Sequence, residues 1–326
     1  MTYRAAIIGC GRMAHASDLS SKEGEVYTHA KAYVSHSETQ LAAVCDIQPR
    51  VAEGCARTWG TEAFSDVRSM LRDSHPDIVS ICTPDATHAE MLELCLEYPI
   101  RAVWCEKPLA TTGQDVEPLV REYERRGILL AVNYIRRWDP EISRIGEAIR
   151  SAALGKIQKA IAYYSKGFMH SGSHFVDLFL SWFGEVESWK VLDGFVDVYD
   201  EDPTMDVDIS FASGAKAYLI GLRDQCFSMD EIDLYGEKAR VRVAPYSTAV
   251  EWYWPAVDVK TGIRILPTTA DTRPTGLSTL MLRILDNLVQ AINAKESLLS
   301  TGRTALSTWR LCERIESAAQ SLLLKE

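Results

Sequence analysis

The chain has 326 residues, of which 47% are hydrophobic and 25% charged, the composition of a globular protein long enough for two domains. Its net charge of −10 argues against nucleic acid or an anionic membrane as the main partner, although a few arginines would suffice to bind a small anionic substrate. No apolar run approaches the ~20 residues needed to cross a bilayer, and no cleavage-site pattern follows the N-terminus. We therefore expect neither a membrane span nor a signal peptide.

The eight cysteines include no Cys-x-x-Cys pair, and several lie inside apolar, strand-like runs. In such positions cysteine behaves as a small hydrophobic residue. This usage is typical of a reducing compartment, so we predict a cytoplasmic protein without a disulfide framework or a zinc ribbon.

Up to about residue 134, short apolar runs alternate with amphipathic stretches. The predicted strands are Arg4–Gly9, Leu41–Cys45, Asp77–Cys82, Ile100–Cys105 and Ile128–Val132, and the predicted helices are Arg50–Trp59, His88–Glu97 and Val116–Arg126. Continuous apolar strands that alternate with helices indicate a parallel sheet covered on both faces. We predict a doubly wound α/β domain over residues 1–134.

After Asp139–Pro140 the pattern changes to period-two alternation, which runs from about 186 to 254. The predicted elements are helices at Glu141–Arg150, about Ser171–Phe183 (ended by Gly184), about 276–293 and 303–324, a strand at Ile157–Tyr164, and turns at Ser213–Gly214 and Gly236–Glu237. Residues 135–326 are therefore predicted to form an α+β domain, with an open, mostly antiparallel sheet and helices against one face.

A glycine-rich turn, Gly9-Cys10-Gly11-Arg12-Met13-Ala14, follows the first predicted strand. Such a turn lets the backbone approach a pyrophosphate, whose charge the next helix N-terminus favours, so we predict a Rossmann domain with cofactor contacts from Gly9, Gly11, Arg12 and Met13. Asp46 ends the second strand, where a carboxylate binds ribose hydroxyls and repels a 2′-phosphate. This predicts NAD rather than NADP. The alternative for Asp46 is a solvated acid at a strand end.

The gap of 35 residues between Gly11 and Asp46 exceeds the usual spacing of about 20. The excess lies in Ala14–Thr28, which is polar and poorly periodic, and the helix is predicted to resume at His29–Val34. A loop so close to the cofactor is either a lid over the active site or a plain surface insertion.

Three further motifs follow predicted strands, at the edge where open α/β sheets bind ligands. They are Cys82-Thr83-Pro84-Asp85-Ala86-Thr87-His88, Cys105-Glu106-Lys107-Pro108-Leu109 and Asn133-Tyr134-Ile135-Arg136-Arg137-Trp138-Asp139-Pro140. With the glycine turn, and in this order, they resemble the glucose–fructose oxidoreductase / inositol dehydrogenase / rhizopine catabolism (Gfo/Idh/MocA) family over nearly the whole chain.

The resemblance implies roles for these residues. Glu106 is expected to contact the nicotinamide ribose, and Lys107 both that ribose and the reacting substrate hydroxyl. The remaining expected contacts to the cofactor are Thr83, Pro84, His88 and Asn133. Without the resemblance, Lys107 reads as a loop lysine before a proline and His88 as a helix-start residue.

The family also carries an Asp-x-Gly-x-His-x-x-Asp stretch, which here reads His170-Ser171-Gly172-Ser173-His174-Phe175-Val176-Asp177. The resemblance implies that His174 is the catalytic base. If all were helical, His170, His174 and Asp177 would share one face, with His174 in the first turn, where the helix dipole disfavours its charged form. His170 replaces the leading aspartate, so the sugar specificity of relatives does not carry over. A metal site or a pair of structural histidines are the alternatives, and we predict no metal.

The function predicted is hydride transfer between NAD and a ring secondary alcohol of a sugar or nucleotide-linked sugar, with Lys107 and His174 catalytic. Expected substrate contacts are Arg137, Tyr164, His170 and Asp177. The rival interpretations are an NAD-dependent, redox-assisted glycosidase of the same family and a non-catalytic NAD-binding regulator. The expected partners are a small sugar-like molecule, neither nucleic acid nor membrane, and further copies of the chain, as a homodimer or homotetramer through the C-terminal sheet.

Overall fold

The computed structural model describes residues 2–323, which form two compact units. The first unit comprises the residues up to Trp138 together with Ser278–Trp309, and the second comprises Asp139–Leu277 with the residues from Arg310 onward. The predicted boundary after residue 134 is four residues from the observed one after Trp138. The prediction did not include Ser278–Trp309, which belong to the first unit. None of the helices described is both long enough and apolar enough to cross a membrane.

A parallel six-stranded sheet with the order β3-β2-β1-β4-β5-β6 forms the centre of the first unit. Its strands are β1 Tyr3–Ile8, β2 Thr39–Cys45, β3 Glu62–Phe64, β4 Ile78–Ile81, β5 Ala102–Cys105 and β6 Leu129–Val132. β4 and β5 are buried along their whole length, which is why they appear in the sequence as continuous apolar runs. The strand order reverses between β1 and β4, and ligands bind at the carboxyl edge of such a switch point.

Helices connect these strands. They are α1 His29–Ser35, α2 Pro49–Trp59, α3 Val67–Ser74, α4 His88–Cys95 and α5 Glu117–Arg126. The sequence patterns do not predict β3 or α3, because β3 has three residues that are largely exposed and α3 has only eight. The start of α3 is nevertheless capped, since the Asp66 carboxylate accepts a hydrogen bond from the Ser69 N–H at 2.8 Å.

The insertion Ala14–Thr28 belongs to the first unit, and its two ends lie side by side. The His29 N–H donates to the Met13 carbonyl at 3.2 Å, and the Ala30 N–H donates to the Ala14 carbonyl at 2.9 Å. The insertion contains no α-helix, and α1 begins at His29, as predicted. The insertion is therefore a loop whose two ends are adjacent and hydrogen-bonded to each other.

Asp18 organises the interior of this insertion. Its side chain is buried, and its carboxylate accepts hydrogen bonds from the Tyr27 N–H at 3.0 Å and from the Thr28 hydroxyl at 2.7 Å. The Thr28 hydroxyl in turn accepts from the Lys31 N–H and caps α1. The insertion thus fixes the start of α1, and with it the position of His29.

An eight-stranded sheet with the order β16-β13-β12-β11-β7-β10-β9-β8 dominates the second unit. Its strands are β7 Ile157–Tyr164, β8 Val186–Tyr199, β9 Asp202–Phe211, β10 Lys216–Gly221, β11 Asp230–Gly236, β12 Arg240–Val243, β13 Ala249–Tyr253 and β16 Asp271–Pro274, and β14 Ala256–Val257 pairs with β15 Arg264–Ile265 in a separate two-stranded sheet. Among the described strand pairs of this eight-stranded sheet, β7 and β10 are parallel and the others are antiparallel. The prediction of an open, mostly antiparallel sheet is confirmed.

The two faces of this sheet differ in chemistry. Strand register aligns Ala162, Ile232, Val243 and Val250 on one face, where all four are buried. The other face carries charge pairs: Arg242 contacts Glu231 at 2.7 Å and Glu251 at 3.4 Å, and Arg240 contacts Asp233 at 2.6 Å. The alternation seen in the sequence therefore separates an apolar core face from an ion-paired face.

Two helices of the second unit are α6 Pro140–Arg150 and α7 Ser173–Phe183. A π-helical turn, Phe168–Gly172, runs directly into α7. The helix predicted to begin at about Ser171 therefore begins at Phe168. Single π turns are uncommon and are found frequently at functional sites.

The last helices are α8 Leu280–Ile292 and α9 Gly302–Leu323. The apolar side of α8 lies in the buried cluster of the first unit, with Met281, Ile284, Leu285 and Leu288 beside residues of β1 and β2. This packing explains why the prediction that all residues after 134 belong to the second domain was wrong. An amphipathic pattern shows that a helix is half buried but does not show against which sheet.

Candidate active site

A cavity of about 680 Å³ opens at the carboxyl edge of β1, β2, β4 and β5 in the first unit. Its lining includes most of the predicted cofactor contacts, namely Gly9, Gly11, Arg12, Met13, Asp46, Thr83, Pro84, Glu106 and Lys107. Because parallel strands end at one edge, motifs far apart in the sequence meet here, as predicted.

The two glycines of the turn serve different purposes. Gly9 has φ +87°, and a side chain there would place Cβ 2.7 Å from the Cys82 carbonyl oxygen, so only glycine fits between β1 and β4. At Gly11, apart from the glycine and its chain neighbours, no atom of the described residues lies within 4 Å of where Cβ would be. The space that a side chain would occupy at Gly11 is therefore open, and a ligand can approach the backbone closely there.

Asp46 is partly buried at the end of β2, and its carboxylate is held by two backbone donors. Oδ2 accepts from the Cys10 N–H at 3.0 Å, and Oδ1 accepts from the Gln48 N–H at 2.9 Å. These bonds join the carboxylate to the glycine turn and fix it at the cavity wall. The open glycine, the fixed carboxylate and the size of the cavity fit a dinucleotide with free ribose hydroxyls.

Glu106 follows β5 and is almost buried, with 9% of its surface exposed. Its Oε1 accepts hydrogen bonds from Asn133 Nδ2 at 2.7 Å and from His29 Nε2 at 3.0 Å. Burial opposes ionisation, but these two bonds and the charge of Lys107 outweigh it, so the pKa of Glu106 lies below its usual value. The group at the cavity wall is therefore a carboxylate.

Lys107 is partly buried, lines the cavity next to Glu106, and precedes Pro108 through a cis peptide bond. His88 and Asn133, which we predicted to touch the cofactor, are not among the lining residues. The His88 ring is fully buried, with Nδ1 2.7 Å from the Pro108 carbonyl and Nε2 3.0 Å from the Thr83 carbonyl. We therefore assign His88 and Asn133 to support of the lining rather than to direct contact.

The structure also reveals lining residues that the sequence reasoning missed. They are Ile8, Cys45, Ile47, Val67, Cys82, Asp85, Thr87, Glu90 and Met91. Ile47 is 86% exposed immediately after Asp46, and an apolar side chain in a turn beside a strand-end carboxylate was the available signal. Val67 gave no signal, because the helix that carries it was not predicted.

In the second unit, the π turn and α7 carry the predicted histidines. His170 is exposed on the π turn, with its ring centroid 5.1 Å from that of Tyr199. The Asp202 carboxylate accepts hydrogen bonds from the backbone N–H groups of Met169 at 2.8 Å and His170 at 2.7 Å. Asp202 therefore caps the start of this helix, a role that the sequence did not indicate.

His174 is partly buried in α7, and Asp177 is fully buried three residues later. Because the helix starts at Phe168, His174 lies in its second turn, and the expected effect of the helix dipole on the imidazole is weaker than predicted. His170 lies in the π turn, so the narrow face calculated for α-helical geometry does not extend to it.

Tyr164 and Arg137, two of the expected substrate contacts, differ in their surroundings. Tyr164 is fully buried, and its hydroxyl bonds to the Met205 backbone, at 2.7 Å to the carbonyl and 2.8 Å to the N–H. Tyr164 is therefore a structural residue of the sheet, in contrast to our expectation. Arg137 is partly buried in the first unit and donates to the Leu299 carbonyl at 3.4 Å.

A family model matches the N-terminal part of the first unit. The profile of a family described as "Oxidoreductase family, NAD-binding Rossmann fold" matches residues 3–134. Over 154 residues, 47% of this chain and 38% of the relative, the chain is 29% identical to D-apiose dehydrogenase of Paraburkholderia graminis. Over 117 residues, 36% of this chain and 33% of the relative, it is 37% identical to inositol 2-dehydrogenase of Rubrobacter xylanophilus. The chain thus matches less than half of the length of either relative.

A solved structure resembles the chain over nearly its full length. UDP-N-acetylglucosamine 3-dehydrogenase GnnA from Acidithiobacillus ferrooxidans superposes with a TM-score of 0.78, covering 98% of both chains at 20% identity. At this identity the likeness establishes the fold. Together with the parallel sheet and the glycine turn, the comparisons confirm the predicted NAD-binding Rossmann domain and the predicted fold class.

Proposed function

Because residues 3–134 match the model of an oxidoreductase family with an NAD-binding Rossmann fold, the Gfo/Idh/MocA family that the sequence motifs resemble, we propose that the whole chain is an NAD-dependent dehydrogenase of this family. It acts on a ring secondary alcohol of a sugar or of a nucleotide-linked sugar. The observation that carries this proposal is the single cavity wall shared by the glycine turn, Asp46 and the Glu106–Lys107 pair.

The residues present would hold the cofactor as follows. Gly9 and Gly11 bring the backbone to the pyrophosphate, Asp46 accepts from the adenosine ribose hydroxyls, and Glu106 accepts from the nicotinamide ribose. When bound, NAD supplies the acceptor for the hydride that leaves the substrate carbon. Asp46 also disfavours a 2′-phosphate through like-charge repulsion, so NAD is preferred over NADP.

The chemistry left to the protein is placement and proton transfer. In this proposal His174 Nε2 accepts the proton of the substrate hydroxyl. The Lys107 ammonium donates a hydrogen bond to the same oxygen and stabilises the negative charge that develops there. His170 and Arg137 are assigned to other substrate groups, and Asp177 to the support of His174 from the buried side of α7. The described part of the chain holds no cluster of three or more His, Cys, Asp or Glu side chains suited to a metal.

The substrate class rests on chemistry and on the relatives. D-apiose, inositol and UDP-N-acetylglucosamine dehydrogenases are named for ring polyols or sugars with secondary hydroxyls. Burial lowers the pKa of Arg136 to about 10, which leaves its guanidinium charged at neutral pH. A charged arginine next to Arg137 suits a phosphate or carboxylate, so a nucleotide-linked or otherwise anionic sugar is the favoured substrate.

The test is a panel of free sugars, inositols, sugar phosphates and nucleotide sugars, assayed with NAD⁺ and NADP⁺ in parallel for absorbance at 340 nm. We expect reduced cofactor to form with NAD⁺ and a member of the panel. Cleavage of a glycoside without net change at 340 nm would instead identify a redox-assisted glycosidase. Tight NADH binding with no turnover of the whole panel would identify a regulator.

We also propose that the chain assembles as a homodimer or homotetramer through the ion-paired face of the second-unit sheet. That face bears the Arg242–Glu231 and Arg240–Asp233 pairs, whose charges a second copy in opposite orientation can complement. Multi-angle light scattering of the wild type and of Arg242→Glu tests this, since the variant should shift the mass toward the monomer. A reducing cytoplasmic setting stays a prediction from cysteine usage.

A further inference from the structure

A row of buried polar side chains lies behind Glu106 in the first unit. Tyr33 Oη is 2.7 Å from Ser80 Oγ, Ser80 Oγ is 2.8 Å from His29 Nδ1, and His29 Nε2 is 3.0 Å from Glu106 Oε1. The first three of these side chains are fully buried. The row joins the start of α1, the middle of β4 and the end of β5 to the cavity wall.

The carboxylate of Glu106 determines which nitrogen of His29 carries a proton. Glu106 is a carboxylate and accepts only, so His29 must carry a proton on Nε2. When His29 is neutral, its Nδ1 accepts from the Ser80 hydroxyl, which accepts from the Tyr33 hydroxyl. When His29 is charged, its Nδ1 donates to Ser80 Oγ, and Nε2 still donates to Glu106. Burial raises the pKa of Tyr33, so that its hydroxyl keeps the proton it donates. In both charge states of His29 the row ends in a hydrogen bond that Nε2 donates to Glu106.

A second donor acts on the same oxygen. Asn133 Nδ2 donates to Glu106 Oε1 at 2.7 Å, and the orientation of its amide is set because Asn133 Oδ1 accepts from Trp104 Nε1 at 3.3 Å. Trp104 also packs against the His29 ring, with 3.9 Å between the ring centroids. His29 and Asn133 both bond to Oε1 of the Glu106 side chain, and Glu106 lines the cavity, where Oε2 can meet a ligand.

We propose that His29 is the positioning residue of this end of the cavity: it holds Oε1 of Glu106 from behind, so that Oε2 is presented to a hydroxyl of the ligand. The inference rests on the proposed function, in which that hydroxyl belongs to the nicotinamide ribose. This proposal also assigns a structural role to the insertion Ala14–Thr28. Asp18 and Thr28 fix the start of α1, and His29 is its first residue.

Two variants of similar polarity separate this role from a structural one. The terminal amide of glutamine lies about where His Nε2 lies, so His29→Gln keeps a donor for Glu106. The amide of asparagine lies about where Nδ1 lies, so His29→Asn keeps a partner for Ser80 but not for Glu106. Each variant loses one of the two hydrogen bonds of His29 and keeps the other. The two should therefore lose similar stability, so each serves as a control for the other.

The readout is the affinity for NADH, from its fluorescence, and for ADP, from calorimetry. ADP contains the adenosine half and lacks the nicotinamide ribose. We expect His29→Asn to weaken NADH binding about tenfold, because it loses the hydrogen bond to the charged Glu106. We expect His29→Gln to weaken binding about threefold or less, because its amide partly keeps that bond. Affinity for ADP should stay within about twofold of wild type in both. The double variant H29N/E106Q should bind NADH no more weakly than E106Q alone, because His29 acts through Glu106.

Equal loss of NADH affinity in the two variants, or a parallel loss of ADP affinity, would show that His29 only supports the fold and would overturn the inference. Such a result leaves the proposed function intact, since the wild type still binds NADH. Failure of the wild-type protein to bind NADH would overturn the proposed function and this inference with it.

Discussion

The Asp46 carboxylate accepts a hydrogen bond from the Cys10 N–H at 3.0 Å, which joins the end of β2 to the glycine turn after β1. The charge therefore stands beside the cavity in a fixed position, tied to the loop proposed to hold the pyrophosphate. A ribose with two hydroxyls can donate to it, whereas a 2′-phosphate meets like charge. Cofactor preference follows from this one relationship.

Asp46→Asn removes the charge and keeps an oxygen for the Cys10 N–H. We expect the ratio of kcat/KM for NAD⁺ to that for NADP⁺ to fall by about tenfold or more, mostly because NADP⁺ is no longer repelled. Steady-state kinetics with both cofactors measures this ratio. An unchanged ratio would show that Asp46 is only a loop-capping acid.

The two glycines of the turn should respond differently to alanine. Gly9→Ala puts Cβ 2.7 Å from the Cys82 carbonyl oxygen at φ +87°, so we expect a loss of stability of about 1–3 kcal/mol and a lower Tm. In Gly11→Ala the new Cβ would meet no atom of the described residues beyond its chain neighbours, so the Tm should stay unchanged while NADH binding weakens. Differential scanning fluorimetry with and without NADH separates the two effects. A Tm loss in Gly11→Ala as large as that in Gly9→Ala would contradict the assignment.

His174→Ala should lower kcat by about 10²–10⁴-fold, the usual contribution of a positioned acid–base group. NADH affinity should not change, because the cofactor contacts assigned here all lie in the first domain. Ser181→Ala is the matched control, since Ser181 is exposed on the same helix and should keep full activity. Turnover of His174→Ala at the wild-type rate would refute the role of this histidine.

The ionisation of Glu106 gives a prediction with a definite sign. Its pKa is lowered in the folded protein, so its charge stabilises the fold above the unfolded value of about 4.3, and that stabilisation is lost as the pH falls through the folded pKa. His29→Asn removes one of the bonds that oppose burial, and the pKa of Glu106 should therefore rise. Carbon-13 NMR of labelled glutamate, with the signal assigned by its absence in Glu106→Gln, measures both values. An equal or lower pKa in His29→Asn would contradict the geometry.

Much of the site follows from local chemistry. The turn Gly9–Ala14, Asp46 and Glu106–Lys107 each come directly after an apolar run, and parallel strands bring their carboxyl ends to one edge whatever lies between them. The rhythm of strands and helices therefore predicts the fold class and places these residues together. It also predicts α1 at His29, within one residue of its observed end.

Only the tertiary structure decides which face a residue presents and what it packs against. Tyr164 looks like a stacking surface in the sequence, but the strand register turns it into the core, where the Met205 backbone uses its hydroxyl. α8 has the pattern of any amphipathic helix, yet it packs in the first unit. His29 gives no signal of its own, because its partners Ser80 and Glu106 lie 51 and 77 residues away. Sequence periodicity reports how much of a residue is buried, whereas the identity of its partners depends on contacts distant in the chain.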